Sequence, residues 1–173
     1  MVAVARVIVG ASGSPGSVRA LRYAEGLARS NHAALLPVIA WEPPGRDHLG
    51  RGVPSGYLRQ QWRDLAWQQL RDALVAVWGE VPCSPLMQPH VEMGRPGWVL
   101  VSLASRSDDV LVIGAGRRGV IARIVCSRVS RYCLAHARCP ILAVPPPELR
   151  RSRLRWMFRH RPLTVEQLLQ GGR

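Results

Sequence analysis

Apolar and polar residues come in blocks along this chain, and the blocks switch between two periods. Residues 5–11, Ala-Arg-Val-Ile-Val-Gly-Ala, form a short β-branched run closed by glycine, the pattern of a buried strand. Ser14 then stands as an N-cap with Pro15 at the first helical position. Val18, Leu21, Ala24, Leu27 and Ala28 recur at helical spacing and predict a helix over 15–29. Residues 34–41 predict a second strand, although Pro37 removes one ladder donor. After a Pro- and Gly-rich loop from Glu42 to Gly56, residues Leu58, Trp62, Leu65, Ala66, Leu70, Ala73, Leu74 and Val77 predict a long helix over 57–78. Its Trp62, Trp67 and Trp78 read as core and dimer-surface residues. A short, less apolar strand over 88–93 suits a sheet edge. Pro96 opens a helix over 96–106, Asp108 and Asp109 close the connection, and 110–115 is a fourth strand. Residues 127–137 predict a helix with Val129, Cys133 and His136 on one face, and 140–144 a fifth strand before three prolines.

Strands alternating with helices give an α/β fold: a five-stranded parallel, doubly wound sheet with helices on both faces. Such sheets bind ligands outside the carboxyl ends of their strands, at the point where strand order reverses. Three stretches lie at that end: Gly10-Ala11-Ser12, the neighbourhood of Val38, and Gly114 to Gly119.

Composition narrows this picture. The 173 residues suffice for one domain with a sizeable core, and no apolar run is long enough to span a membrane. The N-terminus lacks the basic segment and cleavage site of a signal peptide. Cys83, Cys126, Cys133 and Cys139 form no C-x-x-C and have no histidines at zinc spacing, so they read as free thiols of a cytoplasmic protein. The net charge is +13, and all 24 basic residues are arginine. It is denser at the end: Glu148 to Arg173 carries +5, and the other 147 residues carry +8.

The stretch Val110-Leu-Val-Ile-Gly114-Ala-Gly116-Arg-Arg-Gly119 contains a literal G-x-G-x-x-G. A dinucleotide fingerprint belongs after the first strand, opens directly into a helix and has an acid about 20 residues on for the ribose. Here the glycines follow the fourth strand, and no Asp or Glu lies between Asp109 and Glu148. A P-loop fails as well, because the chain has no lysine. His32, His48, His90, His136 and His160 are scattered, and no general base or nucleophile constellation is visible, so no enzyme is read.

Three segments together resemble the universal stress protein family. They are Val-Ile-Val-Gly10-Ala-Ser-Gly13-Ser-Pro, Val-Glu-Met-Gly94-Arg-Pro, and Val-Leu-Val-Ile-Gly114 through Val129-Ser-Arg-Tyr-Cys-Leu-Ala-His136-Ala-Arg-Cys-Pro140-Ile-Leu-Ala-Val144. The resemblance runs from about Arg6 to Pro145. It implies a Rossmann-like, adenine nucleotide alpha hydrolase-like domain over 1–145, a stress-response and regulatory role in the cytoplasm, and a homodimer joined through Ile141 to Val144. It also implies ATP or ADP as ligand, held by Gly10, Ala11 and Ser12, by the backbone at Val38, and by Gly114, Arg117, Gly119, Ser127, Arg128, Val129 and Ser130. The family's nucleotide motif, G-x-x-G, nine residues, then G-[S/T], falls on Gly114, Arg117, Ser127 and Arg128, so one position of four matches. The loop after strand one often holds Asp in the family, and here it holds Ser12. Ser127 remains a fair N-cap, whereas Arg117 and Arg128 could either pair with phosphate or fill its place. Retained nucleotide binding, altered anion binding and a lost site all stay open at this point, and no metal is implied.

Residues 146–173 lie beyond the resemblance. Arg and aromatic residues interleave from Leu149 to Arg161, which suits an anionic partner such as nucleic acid or a membrane surface, or else a solvated extension. Thr164 and Gln167 match a capping box for a short helix over 164–170.

Overall fold

The computed structural model describes residues 4–43, 56–81, 84–114 and 128–145. Nine elements follow in strict alternation: β1 (Arg6–Gly10), α1 (Pro15–Ser30), β2 (Ala34–Trp41), α2 (Gly56–Trp78), β3 (His90–Met93), α3 (Pro96–Leu103), β4 (Asp109–Gly114), α4 (Arg128–His136) and β5 (Ile141–Val144). The sheet order is β3-β2-β1-β4-β5 and every pairing is parallel. The expected doubly wound sheet is therefore present, with β3 and β5 at its edges. The chain moves outward from β1 on one side, then returns to place β4 on the other. That reversal puts the switch point between the carboxyl ends of β1 and β4.

Period-two alternation in the strands supplies two cores. Val7, Val9, Leu35, Ile39 and Val112 face α1 and α2, where Leu21, Leu70 and Leu74 are fully buried. Ile8, Leu36, Val38, Leu111 and Ile113 face α3 and α4, against Val99, Leu100 and Cys133. Each fully buried leucine contributes about 1.5–3 kcal/mol. Ser14 caps α1 as expected, accepting from Ser17 N at 3.2 Å. In α2 the expected apolar face is buried only in its second half: Ala66, Leu70, Ala73 and Leu74 enter the core, while Leu58 and Leu65 are exposed. Trp67 and Trp78 pack against the core as partly buried residues.

Pro37 explains where β3 begins. Leu35 turns its backbone toward the β3 side, donating to Leu86 O at 2.7 Å and accepting from Gln88 N at 2.9 Å. Alternation turns Pro37 the same way, so the missing donor faces β3. The pairing there is an isolated Leu35–Met87 bridge followed by a ladder that starts at Val38 and His90. The strand expected from Gln88 is accordingly shorter.

Asp109 is a correction to the sequence reading. Instead of closing the connection, it is the first residue of β4, in register with Arg6, the first of β1. Its carboxylate is buried and accepts from Arg6 Nε at 2.8 Å, Arg6 Nη2 at 2.7 Å and Arg106 N at 2.8 Å. Arg6 Nη2 also donates to Leu103 O at 3.1 Å. The hydrogen bond to Asp109, ahead of the opposing effect of burial, raises the Arg6 pKa above its ordinary value. These bonds engage the backbone at 103 and 106, and α3 ends at Leu103 rather than at 106.

Candidate functional site

The carboxyl ends of β1 and β4 meet the first turns of α1 and α4. Gly10 closes β1 in register with Val38 of β2. Ala11, buried, donates its N–H to Val38 O at 2.8 Å, so the chain stays tied to β2 as it leaves the sheet. Val38 is buried in the core beneath α3 and α4. Ser12 is exposed, and its hydroxyl lies 3.1 Å from Ser14 Oγ. Its carbonyl accepts from Gln69 Nε2 of α2 at 3.1 Å. Gly13 makes the turn with φ +70°, a conformation that side chains other than glycine rarely adopt.

Gly114 ends β4 directly against α1. A Cβ at this position would lie 3.0 Å from Gly16 O and 3.1 Å from Gly16 C. A side chain at 114 would run into the Gly16 backbone, so the glycine at 114 lets the first turn of α1 stand against the end of β4. From the other side, Ser130, buried in the first turn of α4, donates its hydroxyl to Gly114 O at 3.4 Å. Arg128, exposed, opens α4, with Val129 half-buried beside it.

Gly10, Ala11, Ser12, Gly114 and Ser130 are thus gathered around one crevice, with Val38 one strand away and Arg128 and Val129 at the start of α4. Arg117, Gly119 and Ser127 lie outside the described residues, as do Cys83, Cys126 and the segment 146–173. Sequence reasoning missed the close approach of Gly114 to the Gly16 backbone almost 100 positions earlier, and Gln69, which reaches Ser12 from another helix.

None of the described crevice residues is acidic. Ser12 and Ser14 offer hydroxyls, and Arg128 offers a cation. The arrangement therefore fits an anionic ligand better than a cation or a metal. Among the described residues no three His, Cys, Asp or Glu side chains could hold a metal ion together, and no helix is long and apolar enough to cross a membrane. The two described cysteines are buried thiols. Burial pushes the Cys133 thiol up to about 11 and raises Cys139 as well, which keeps both protonated and poorly nucleophilic at neutral pH.

A five-stranded parallel α/β domain with small residues at its switch point defines a class of ligand-binding proteins. Within that class, the model of the universal stress protein family matches residues 4–145, and the chain belongs to this family. Solved structures agree on the fold. A universal stress protein in complex with cAMP is 22% identical with TM-score 0.57, covering 83% of this chain and 99% of its own. A universal stress protein from Lactobacillus plantarum is 17% identical with TM-score 0.60, covering 81% and 97%. A member of the family from Burkholderia pseudomallei is 24% identical with TM-score 0.52, covering 82% and 96%. No curated protein sequence matches the chain.

Proposed function

We propose that the chain is a cytoplasmic, non-catalytic stress-response module that binds an adenine nucleotide, ATP or ADP, in the crevice between β1 and β4. The observation that carries this reading is the close approach of Gly114 to Gly16, which sets the first turn of α1 against the end of β4. Helix starts at the end of a parallel strand offer backbone N–H groups to phosphate. None of the described crevice residues brings a carboxylate to repel one, and Arg128 adds a positive charge. The cAMP carried by a structural relative points to the same ligand class. Gly10, Ala11, Ser12, Gly114, Arg128, Val129 and Ser130 are the described residues assigned to the ligand, with Val38 beside the base. Arg117, Gly119 and Ser127 are assigned from the family pattern. The same reading joins two copies through β5, an edge strand paired only with β4 among the described residues, where Leu142 and Ala143 are exposed.

Native mass spectrometry of freshly purified protein, with a thermal-shift titration, tests this. The expected result is co-purified adenylate, or a melting temperature that rises saturably with millimolar ATP. Absence of both rejects nucleotide binding. The arginine-rich segment after Pro147 supports a second activity, contact with an anionic macromolecule or surface. It predicts salt-sensitive binding to nucleic acid or anionic vesicles that disappears when the chain is cut after Pro147.

A further inference from the structure

The inward stripe of α2 changes chemistry along its length. Arg59, Arg63, Ala66, Leu70, Ala73 and Val77 follow one another at spacings of four and three, so they share one helix face. The last four are buried or packed on the core. The first two are exposed arginines at the start of α2, near the carboxyl ends of β2 and β3. Beneath them, Trp41 closes β2 and Met93 closes β3, in register with one another. Trp41, Arg59, Arg63, Gln60, Met93 and Gly56 border an open surface depression of about 270 Å³.

The nearby carboxylates are already engaged. Asp64 accepts from Gln60 Nε2 at 3.1 Å, and Glu42 lies 3.8 Å from Arg95 Nε. Two arginines on the core-facing stripe over an indole and a thioether make a surface with two complementary halves. Guanidinium groups pair with a planar or tetrahedral anion, and Trp and Met take an aromatic ring.

We propose that this open depression is a second binding site, separate from the β1–β4 crevice, for a small aromatic anion. Its phosphate or carboxylate is held by Arg59 and Arg63, and its ring lies on Trp41 and Met93.

The test is an NMR titration of the full-length ¹⁵N-labelled protein, following the Trp41 indole N–H, which the Trp41→Phe variant assigns. The probe is phenyl phosphate, with inorganic phosphate and phenol as separate arms. A saturable Trp41 shift with phenyl phosphate is expected, with weaker binding of either fragment. In the Arg59→Gln/Arg63→Gln variant the affinity falls about tenfold or more as charge-assisted bonds are lost. Both arginines are exposed, so the variant's amide spectrum should otherwise overlay the parent's. Absence of a saturable shift, equal affinity for inorganic phosphate, or unchanged affinity in the double variant each overturns the proposal. Since the β1–β4 crevice is untouched, ATP binding there is scored independently.

Discussion

Removing the Asp109 carboxylate is expected to be among the most damaging single changes in the domain. In Asp109→Ala the Arg6 guanidinium loses both its bonds to the carboxylate, at 2.8 and 2.7 Å, and Arg106 N loses its acceptor. The Asp109 side chain is fully buried, so no water stands ready to replace it. Breaking a buried pair by deleting one partner costs about 3–5 kcal/mol. The Arg6 side chain is 20% exposed and keeps its bond to Leu103 O, so its charge is partly rehydrated. That places the expected loss at the lower end, about 3 kcal/mol. In urea, with a slope of about 1–3 kcal/mol/M, the unfolding midpoint should fall by roughly 1–3 M at an unchanged slope. The double variant Arg6→Met/Asp109→Leu removes the charge together with its partner. It should recover most of the loss, because apolar replacement of a buried pair is often neutral or stabilising. A single-variant loss under about 1 kcal/mol, the range of surface pairs, would refute the buried-pair reasoning. So would a double variant no more stable than Asp109→Ala.

The remaining expectations concern packing and the buried thiols. A Cβ on Gly97 of α3 would lie 2.9 Å from Tyr132 Cβ and Cδ1 of α4, so Gly97→Ala should cost about 1–3 kcal/mol by forcing the two helices apart, read by urea unfolding. Gly26→Ala in α1 meets nothing within 4 Å and should stabilise by up to about 1 kcal/mol through helix propensity, so a loss there would count against the described geometry. Cys133 should resist iodoacetamide at neutral pH in the folded chain and react once urea is added, as followed by peptide mass spectrometry. Because burial raises its pKa from 9.0 to about 11, folding favours the protonated thiol. Its contribution to stability is therefore complete below pH 9 and lost as the pH rises toward 11. A Cys133 that labels at the unfolded rate under native conditions would contradict that burial.

The α/β architecture was legible because each element carries its own signal. The β-branched run ending at Gly10, the Ser14 cap with Pro15, and the recurring apolar residues of α2 need no distant partner to be read. What escaped depended on pairing across the chain. Arg6 and Asp109 look like ordinary strand-flanking charges until the sheet order sets them side by side, and only then does the early end of α3 make sense. Leu58 and Leu65 fit an amphipathic helix by period, yet they lie one position off the stripe that carries Ala66, Leu70 and Ala73 into the core, and they stay exposed. At the crevice, Gly10, Ser12 and Gly114 could be picked from the strand ends. That position 114 must be glycine could not, since the demand comes from the α1 backbone at Gly16. Of the literal G-x-G-x-x-G, Gly114 alone lies among the described residues.

The account stands or falls on nucleotide in the β1–β4 crevice, and calorimetric titration of ATP into the full chain and into Gly114→Val tests it most directly. The parent should bind saturably. In the variant a side chain is driven into the Gly16 backbone, and binding should be lost while the far-ultraviolet circular dichroism spectrum still reports a folded α/β domain. A parent that gives no binding heat at millimolar ATP, or a folded variant that binds ATP as the parent does, would contradict the account.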